Sequence, residues 1–301
     1  LKFINHAEGR VVMEEEQPEY QYHLKDHLGN VRMTFTVKDE VEDDRATLET
    51  ANIAEEQSVF LRYEHVKKVQ ATLFDHSNGA STGYSQRLNG SENEKFGLAR
   101  SLSVMPGDTI RAEVFVKYVD EEPSNWNQAL TDLMAAIANN TGGIVFEGLS
   151  YGTSTATFNA SNLVNTSGSS GTAPRAFLNW IVFDRNFVPK DQGGFMRIST
   201  AAKETGSDVA HERLFSPDIL ITEPGYVYIY LSNEEEDPVE VFFDDFRVEH
   251  VKSLVVQVDN YYPGGATFNS YSRENSIANK RLYQTKELQT DLGLTQYDFG
   301  P

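Results

Sequence analysis

The sequence predicts an all-β fold: an antiparallel jelly-roll β-sandwich with one helix, inserted between two further sets of β-strands. Short runs of β-branched and aromatic residues recur along the chain, separated by clusters of Gly, Pro and Asn. Most of these runs follow one another without a helical pattern between them, which favours a sandwich or barrel over a wound α/β sheet. The chain has 301 residues, enough for more than one core.

Eight segments carry the strand pattern. Several of them alternate between apolar and polar residues, as expected for strands that place one face in a core. The predicted strands are residues 31–37, 68–74, 101–104, 109–118, 177–183, 226–231, 239–248 and 253–258.

One segment, residues 125–139, has a helical pattern instead. Its apolar residues form a single stripe that predicts packing against a sheet face: Trp126, Leu130, Leu133, Met134 and Ile137. Residues 159–173 are dominated by Ser, Thr, Gly, Asn and Ala, which predicts a loop between strands. The acidic run at 234–237 predicts a solvated turn.

The composition limits the possible partners. The 26 Lys and Arg against 45 Asp and Glu give a formal net charge of −19, and such a surface repels phosphate backbones, so no nucleic-acid partner is predicted. No apolar run approaches about 18 residues, so no transmembrane segment is predicted. Because the sequence contains no Cys, disulfides, thiolate catalysis and cysteine zinc sites are excluded, and a bacterial protein is favoured.

Both ends of the chain carry repeat-like motifs. Residues 20–32 read YQYHLKDHLGNVR, residues 259–265 read DNYYPGG, and residues 283–300 read YQTKELQTDLGLTQYDFG. In this order they resemble the core of the Rhs/YD-repeat family. The resemblance implies strands of a large hollow β-shell that encloses a toxin or other payload, often on exported or cell-surface proteins. The remainder of such a shell is therefore an expected partner, and the expected location is extracellular or on the surface of a bacterium.

The first of these motifs has a structural interpretation. Aromatic side chains such as Tyr22 would stack along the sheet, and Gly29 would supply the positive φ of a hairpin. Asp26 and Arg32 would close the turn through a polar contact.

The repeat motifs also predict the domain organisation. Residues 1–45 and 251–301 would form one set of strands, and residues 46–250 would form the inserted sandwich. The two ends are expected to pair in space, because an insertion between adjacent strands leaves its flanks close together.

Two stretches of the insert resemble jelly-roll carbohydrate-binding modules of the galactose-binding-like type. Residues 98–118 place a Pro-Gly-Asp turn between two strand-like runs, and residues 241–248 read VFFDDFRV, like the closing strand of such modules. The resemblance implies a glycan or cell-surface polysaccharide as ligand and a structural Ca²⁺ as the possible cofactor.

Asp244 and Asp245 carry the chemistry of that closing strand. Strict alternation would point one of them toward the apolar core, which is costly unless the carboxylate is paired, hydrogen-bonded or bound to a cation. Asp245 is the candidate Ca²⁺ ligand, since calcium prefers oxygen donors. Capping of backbone amides in a turn is the open alternative. The family resemblance alone suggests Glu49 as a second acidic ligand.

Sugar recognition requires aromatic platforms together with polar side chains. Tyr84 and Tyr151 lie in Gly- and Ser-rich segments and are the candidate ligand-binding residues. Trp126 and Trp180 lie within apolar patterns and are expected in the core.

The sequence does not contain a complete version of the enzyme motifs considered next. His23 and His27 are four residues apart, but the Glu of a zinc-protease motif is missing and the segment predicts strand and turn. Neither a nucleophile elbow nor a phosphate loop occurs, and 45 acidic residues do not single out the carboxylate pair of a glycosidase.

The sequence thus predicts a non-enzymatic, exported bacterial Rhs-type surface protein or fragment with a glycan-binding or adhesion module. A structural shell segment of a toxin-delivery protein, without a ligand, is the first alternative. A carbohydrate-active enzyme is the second.

Overall fold

The computed structural model describes residues 2–14, 17–71, 73–76, 83–119, 145–146, 149–150, 173–204, 208–236, 238–290 and 296–298. Within these residues the chain forms β-strands and one α-helix, α1 (Ile53–Val59). The strands are β1 (Phe3–His6), β2 (Gly9–Glu14), β3 (Gln17–Lys25), β4 (Val31–Thr36), β5 (Glu40–Ala46), β6 (Lys67–Gln70), β7 (Tyr84–Asn89), β8 (Phe96–Val104), β9 (Thr109–Val119), β10 (Val145–Phe146), β11 (Leu149–Ser150), β12 (Ala176–Asp184), β13 (Gly194–Arg197), β14 (Glu212–Phe215), β15 (Ile219–Leu220), β16 (Gly225–Asn233), β17 (Glu240–Lys252), β18 (Val255–Tyr261), β19 (Thr267–Ser272), β20 (Glu287–Gln289) and β21 (Gln296–Asp298).

Each of the eight predicted strands overlaps an observed one, and the all-β prediction is confirmed. The run at 68–74 ends early, because β6 stops at Gln70. The predicted helix at 125–139 and nearly all of the predicted loop at 159–173 lie outside the described residues. Helix α1 was not predicted.

Two antiparallel sheets face each other in a sandwich. The seven-stranded sheet has the order β14-β9-β17-β7-β6, with β15 also paired to β9 and β5 to β17, and the four-stranded sheet has the order β13-β12-β16-β8. The chain crosses repeatedly between them, since β8, β12 and β16 lie in one sheet and β9, β14 and β17 in the other. This is the predicted jelly-roll arrangement.

Side chains from alternate positions of the strands fill the space between the two sheets. In β9, Ile110, Val114 and Val116 point into the core, while Arg111 points to the other side. Trp180, which is 6% exposed, packs in the same core, as predicted.

A third sheet, here called the terminal sheet, unites the two ends of the chain. Its order is β1-β2-β3-β4-β18-β19, and Thr34 of β4 lies opposite Gln257 of β18. One face is covered by the segment that contains Asn279. The Asn279 backbone N–H donates to the Gln257 amide oxygen at 2.6 Å, and the Gln257 amide donates to the Asn279 carbonyl at 3.0 Å.

The opposite face of the terminal sheet is apolar and exposed. Ile4 and Tyr20 both pair with Val11 and therefore share this face, on which Leu24 also lies. Ile4, Tyr20 and Leu24 are 56%, 52% and 56% exposed.

The chain passes between the terminal sheet and the sandwich at two points, and neither point coincides with a predicted domain border. Those borders, 45/46 and 250/251, fall inside β5 and β17. The two strands pair throughout β5, from Ala46 opposite Phe246 to Glu40 opposite Lys252. The chain therefore crosses between β4 and β5 and again between β17 and β18.

One buried carboxylate, Asp108, joins the sandwich to the terminal sheet. It lies in the turn between β8 and β9 and is 0% exposed. It accepts hydrogen bonds from the backbone N–H groups of Met105 at 2.9 Å and Ser253 at 2.7 Å. It also contacts the His250 imidazole at 2.8 Å and both terminal nitrogens of Arg273, which follows β19, at 3.0 and 2.9 Å. Asp108 thus links the turn before β9, the end of β17 and the segment after β19 through charge and hydrogen bonding.

Among the described residues, no helix combines the length and apolar character needed to cross a bilayer.

Candidate functional site

The outer face of the four-stranded sheet carries a row of tyrosines. Tyr226, Tyr228 and Tyr230 occupy alternate positions of β16, and Val227 and Ile229 between them point into the sandwich core. Tyr228 and Tyr230 are each 4% exposed and belong to a second, smaller apolar cluster, whereas Tyr226 is half-buried. The accessible end of this tyrosine row (Tyr226, Tyr228, Tyr230) is therefore Tyr226.

A chain of polar side chains continues the row beyond Tyr230. The Asn179 amide donates to the Ser232 hydroxyl at 2.9 Å, and that hydroxyl donates to Oε1 of Glu234 at 3.0 Å. Glu234 is 3% exposed, and its Oε2 has no hydrogen-bond partner within the part of the chain that the structure describes. The sheet face thus carries aromatic rings and, next to them, a buried chain of polar side chains.

Burial favours the neutral form of the Glu234 carboxyl. Burial raises the pKa of its carboxyl from 4.5 to about 8, although the Ser232 hydrogen bond and the charge of Arg175 act in the opposite direction. A protonated carboxyl donates a hydrogen bond as well as accepting one. The prediction of a solvated acidic turn is wrong here, because Glu235 is also buried, at 1% exposure, and accepts a hydrogen bond from the Arg175 backbone N–H at 3.2 Å.

A β-bulge sets the directions of the two aspartates in β17. Between Asp244 and Arg247, β17 contains one residue more than the facing part of β9, and Asp245 has a positive φ of 50°. Phe243 and Phe246, on either side, consequently both point into the core. The prediction that one aspartate must point toward the core is wrong, because strict alternation fails at the bulge.

Residues 73–76 pass over these aspartates on the outer side of the seven-stranded sheet. The His76 ring stacks on the Phe115 ring with centroids 3.5 Å apart, and the Phe74 ring stacks on the Phe242 ring with centroids 3.6 Å apart. The His76 backbone N–H donates to Asp244 at 2.7 Å, and so does the backbone N–H of Asp245, also at 2.7 Å. Asp244 therefore caps backbone amides, the role left open in the sequence as the alternative to metal binding.

Asp245 is held by two basic side chains. Arg45 approaches its two oxygens at 3.1 and 3.0 Å, and Nδ1 of His76 lies 2.7 Å from Oδ2. Burial, followed by the negative charges of Asp245 and Asp75, raises the pKa of Asp244 to about 8. The two neighbouring aspartates thus differ in environment: among the described contacts, Asp245 meets the Arg45 guanidinium and the His76 ring, whereas Asp244 accepts hydrogen bonds from backbone amides.

Two of the predicted site residues, Glu49 and Tyr84, lie next to each other. The Glu49 carboxylate accepts a hydrogen bond from the Tyr84 backbone N–H at 3.2 Å. Tyr84 begins β7, and its half-buried ring packs against the main core, so it does not stand in a loop as predicted. Tyr151 lies outside the described residues.

The described side chains do not by themselves complete a calcium site. Within the part of the chain that the structure describes, no three Asp, Glu or His side chains converge closely enough to hold a metal ion. The carboxylates of Asp244 and Asp245 are donors that calcium accepts, but Arg45 and His76 compete for Asp245. Calcium binding stays a prediction.

The repeat-motif residues form a hairpin with one difference from expectation. Asp26 accepts hydrogen bonds from the Asn30 backbone N–H at 2.9 Å and from its side-chain amide at 2.7 Å, and Gly29 has a φ of +82°. Tyr22 stacks on Phe35 with ring centroids 5.9 Å apart. The predicted contact between Asp26 and Arg32 is replaced, because Arg32 instead donates to the Asn260 side chain, at 2.6 Å, and Asn30 closes the turn.

Comparisons with known proteins give weak similarities. No family model and no curated protein matches the chain. Among solved structures, it is similar to the CBM22-1 xylan-binding domain from Paenibacillus barcinonensis Xyn10C, with 12% identity and a TM-score of 0.26, covering 72% of this chain and 86% of that one. It is also similar to the N-terminal CBM22-1-CBM22-2 tandem domain of the same protein, with 11% identity, a TM-score of 0.28, and coverage of 87% and 51%. These values assign neither a family nor a ligand to the chain.

Sequence reasoning missed the tyrosine row, although a signal for it was present. The alternation of Tyr with Val and Ile from Tyr226 to Tyr230 indicates a strand with one aromatic face. The pattern does not indicate which face of β16 packs against the larger core. It also does not indicate that Glu234, next to the row, is buried.

Proposed function

We propose that this chain is a non-enzymatic glycan-binding protein of Rhs type, exported to a bacterial surface. The tyrosine row and the adjoining chain of Asn179, Ser232 and Glu234 support this function most strongly. Aromatic rings stack on the C–H faces of sugars, and amide, hydroxyl and carboxyl groups bind their hydroxyls. The two kinds of group stand side by side on one sheet face.

The charge of the chain favours a neutral glycan. A net charge of −19 repels anionic ligands at long range. Glu234 does not add to that repulsion at neutral pH, because burial raises its pKa to about 8. In the proposed complex Tyr226 provides the accessible ring.

A second function, a structural segment of a larger β-shell, is favoured by a different surface. The apolar face that includes Ile4, Tyr20 and Leu24 is more exposed than is usual for a soluble sheet. Among the residues that the structure describes, its outermost strands, β1 and β19, each have one strand neighbour in the sheet. Further strands could continue the sheet there.

A panel of immobilised neutral and anionic oligosaccharides separates these functions. We expect the intact chain to bind at least one neutral oligosaccharide and to bind anionic ones less. A shell segment without a ligand would bind none. Release of reducing ends from a bound oligosaccharide would contradict the non-enzymatic proposal and would favour a carbohydrate-active enzyme.

We include a structural Ca²⁺ in the proposal, on the outer side of the seven-stranded sheet where Asp244 and Asp245 lie. Burial and the neighbouring negative charges of Asp245 and Asp75 make ionisation of Asp244 costly, and a bound dication would relieve that cost. Asp244 has no cationic side-chain partner among the described contacts, so it is a better ligand than Asp245.

Melting curves in calcium, in EDTA, and in magnesium at matched ionic strength test this part of the proposal. We expect calcium to raise the melting temperature of the wild type, because a cation that binds only the folded state stabilises it by mass action. Asp244→Asn should remove the response, and the exposed Asp218→Asn is the control that should keep it. Superimposable wild-type curves in the three solutions would rule out a structural calcium.

A further inference from the structure

A groove lies between the sandwich and the terminal sheet, at the accessible end of the tyrosine row. Its volume is about 310 Å³, within the range of ligand-binding clefts. The residues that line it include Ser103, Arg185, Tyr226, Tyr271, Asn275 and Ser276. This inter-sheet groove therefore combines two half-buried aromatic rings with several hydrogen-bonding groups.

The sandwich provides a rigid aromatic wall. The Tyr226 ring stacks on Phe187 with centroids 4.8 Å apart and planes 6° from parallel. Phe187 is fixed in a turn after β12, where the Asp184 carboxylate accepts the backbone N–H groups of Asn186 at 2.8 Å and Val188 at 2.9 Å. A ring held in this way can accept a ligand without losing side-chain entropy at binding.

The terminal sheet provides the second aromatic wall. Tyr271 belongs to β19, and the Arg185 guanidinium from the sandwich lies 5.5 Å from its ring centroid. Arg185 also donates to the Ser270 carbonyl at 2.8 Å. Arg185 thus extends from the sandwich to the terminal sheet and fixes the position of Tyr271.

We propose that the inter-sheet groove is a glycan subsite built jointly by the sandwich and the terminal sheet, and that a neutral oligosaccharide bound at Tyr226 extends onto Tyr271. The proposal rests on the proposed glycan-binding function and gives it a location. Tyr226 belongs to both the tyrosine row and the groove, which makes the two surfaces continuous. Pyranose rings stack on the two tyrosines, while Arg185 and Asn275 bind hydroxyls.

The proposal makes Tyr271 a ligand-contacting residue, although it lies outside the sandwich. An aromatic contact of this kind contributes about a tenfold difference in affinity. We therefore expect Tyr271→Ala to weaken binding about tenfold, and Arg185→Ala to weaken it as well, because Arg185 positions the Tyr271 ring. Tyr271→Phe keeps the ring and should bind like the wild type.

Calorimetric titration with the best-bound oligosaccharide of the panel tests this expectation. Tyr20→Ala is the matched control, since Tyr20 is an exposed tyrosine of the same sheet that does not line the groove. Thermal melting of each variant identifies any that fail to fold, and Tyr271→Leu replaces Tyr271→Ala if the latter does.

The results separate this proposal from the proposed function. Loss of affinity in Tyr271→Ala and Arg185→Ala, with Tyr271→Phe and Tyr20→Ala unchanged, supports a shared subsite. Wild-type affinity in folded Tyr271 and Arg185 variants overturns the subsite and leaves glycan binding in place. A wild type that binds no oligosaccharide overturns both.

Discussion

Replacement of Asp108 by alanine is expected to lower the free energy of unfolding by about 3–5 kcal/mol, the usual cost of removing one partner from a buried ionic network. The carboxylate is fully buried, and its loss leaves His250 and Arg273 without their shared acceptor. Chemical denaturation of wild type and variant at the same pH measures the difference. Asp218→Ala is the matched control: Asp218 also accepts two hydrogen bonds from one arginine, Arg111, but its side chain is 62% exposed. Its replacement should change the free energy of unfolding far less than that of Asp108, because solvent screens the exposed pair.

The stability lost in Asp108→Ala should become smaller both at low pH and at high pH. Burial opposes ionisation of Asp108, but hydrogen bonds from His250 and Arg273 hold its pKa well below the ordinary 3.8. This stabilisation is present above 3.8 and is lost as the pH falls through the lowered pKa. Burial likewise opposes protonation of His250, but Asp108 and Glu42 raise its pKa above 6.5, so its contribution is present below 6.5 and is lost as the pH rises through the raised pKa. The difference in unfolding free energy between wild type and Asp108→Ala should be largest between pH 3.8 and pH 6.5. A difference that does not vary with pH would contradict the assigned network.

Glu234→Gln is expected to stabilise the protein at pH 8 by about 4 kcal/mol. The folded-state pKa of Glu234 is raised from 4.5 to about 8, so the wild type loses stability as the pH rises across that interval. Glutamine has a similar shape and no proton to lose. Below pH 4.5 the two proteins should be equally stable.

Denaturation from pH 4 to pH 8 measures this prediction. Glu236→Gln is the control, because Glu236 belongs to the same acidic run but is exposed. If Glu234→Gln and the wild type show the same pH dependence, the Glu234 carboxyl is not buried in solution.

The strands could be predicted from sequence because each depends on a local pattern. In β16, alternation of Tyr with Val and Ile is sufficient to identify a strand. The directions of Asp244 and Asp245 could not be predicted in the same way. They depend on one extra residue relative to β9, a strand more than 100 positions away in the sequence, and a single bulge reverses the alternation.

The candidate site was less predictable than the fold, because its residues meet only through tertiary contacts. Glu234 belongs to an acidic run that is typical of solvated turns, but in the fold it is buried, bonded to Ser232 and near the charge of Arg175. Tyr226 and Tyr271 come from separate sheets and face one groove only after both sheets have formed. No pattern within either strand indicates that relationship.

Calorimetric titration of the intact wild-type chain with the neutral oligosaccharide that the panel selects tests the claim of glycan binding most directly. The account predicts a saturable isotherm that is weakened in Tyr226→Ala and retained in Tyr20→Ala, with thermal melting used to verify that each protein is folded. Heats of dilution alone, for every neutral oligosaccharide titrated into a folded wild type, would contradict it.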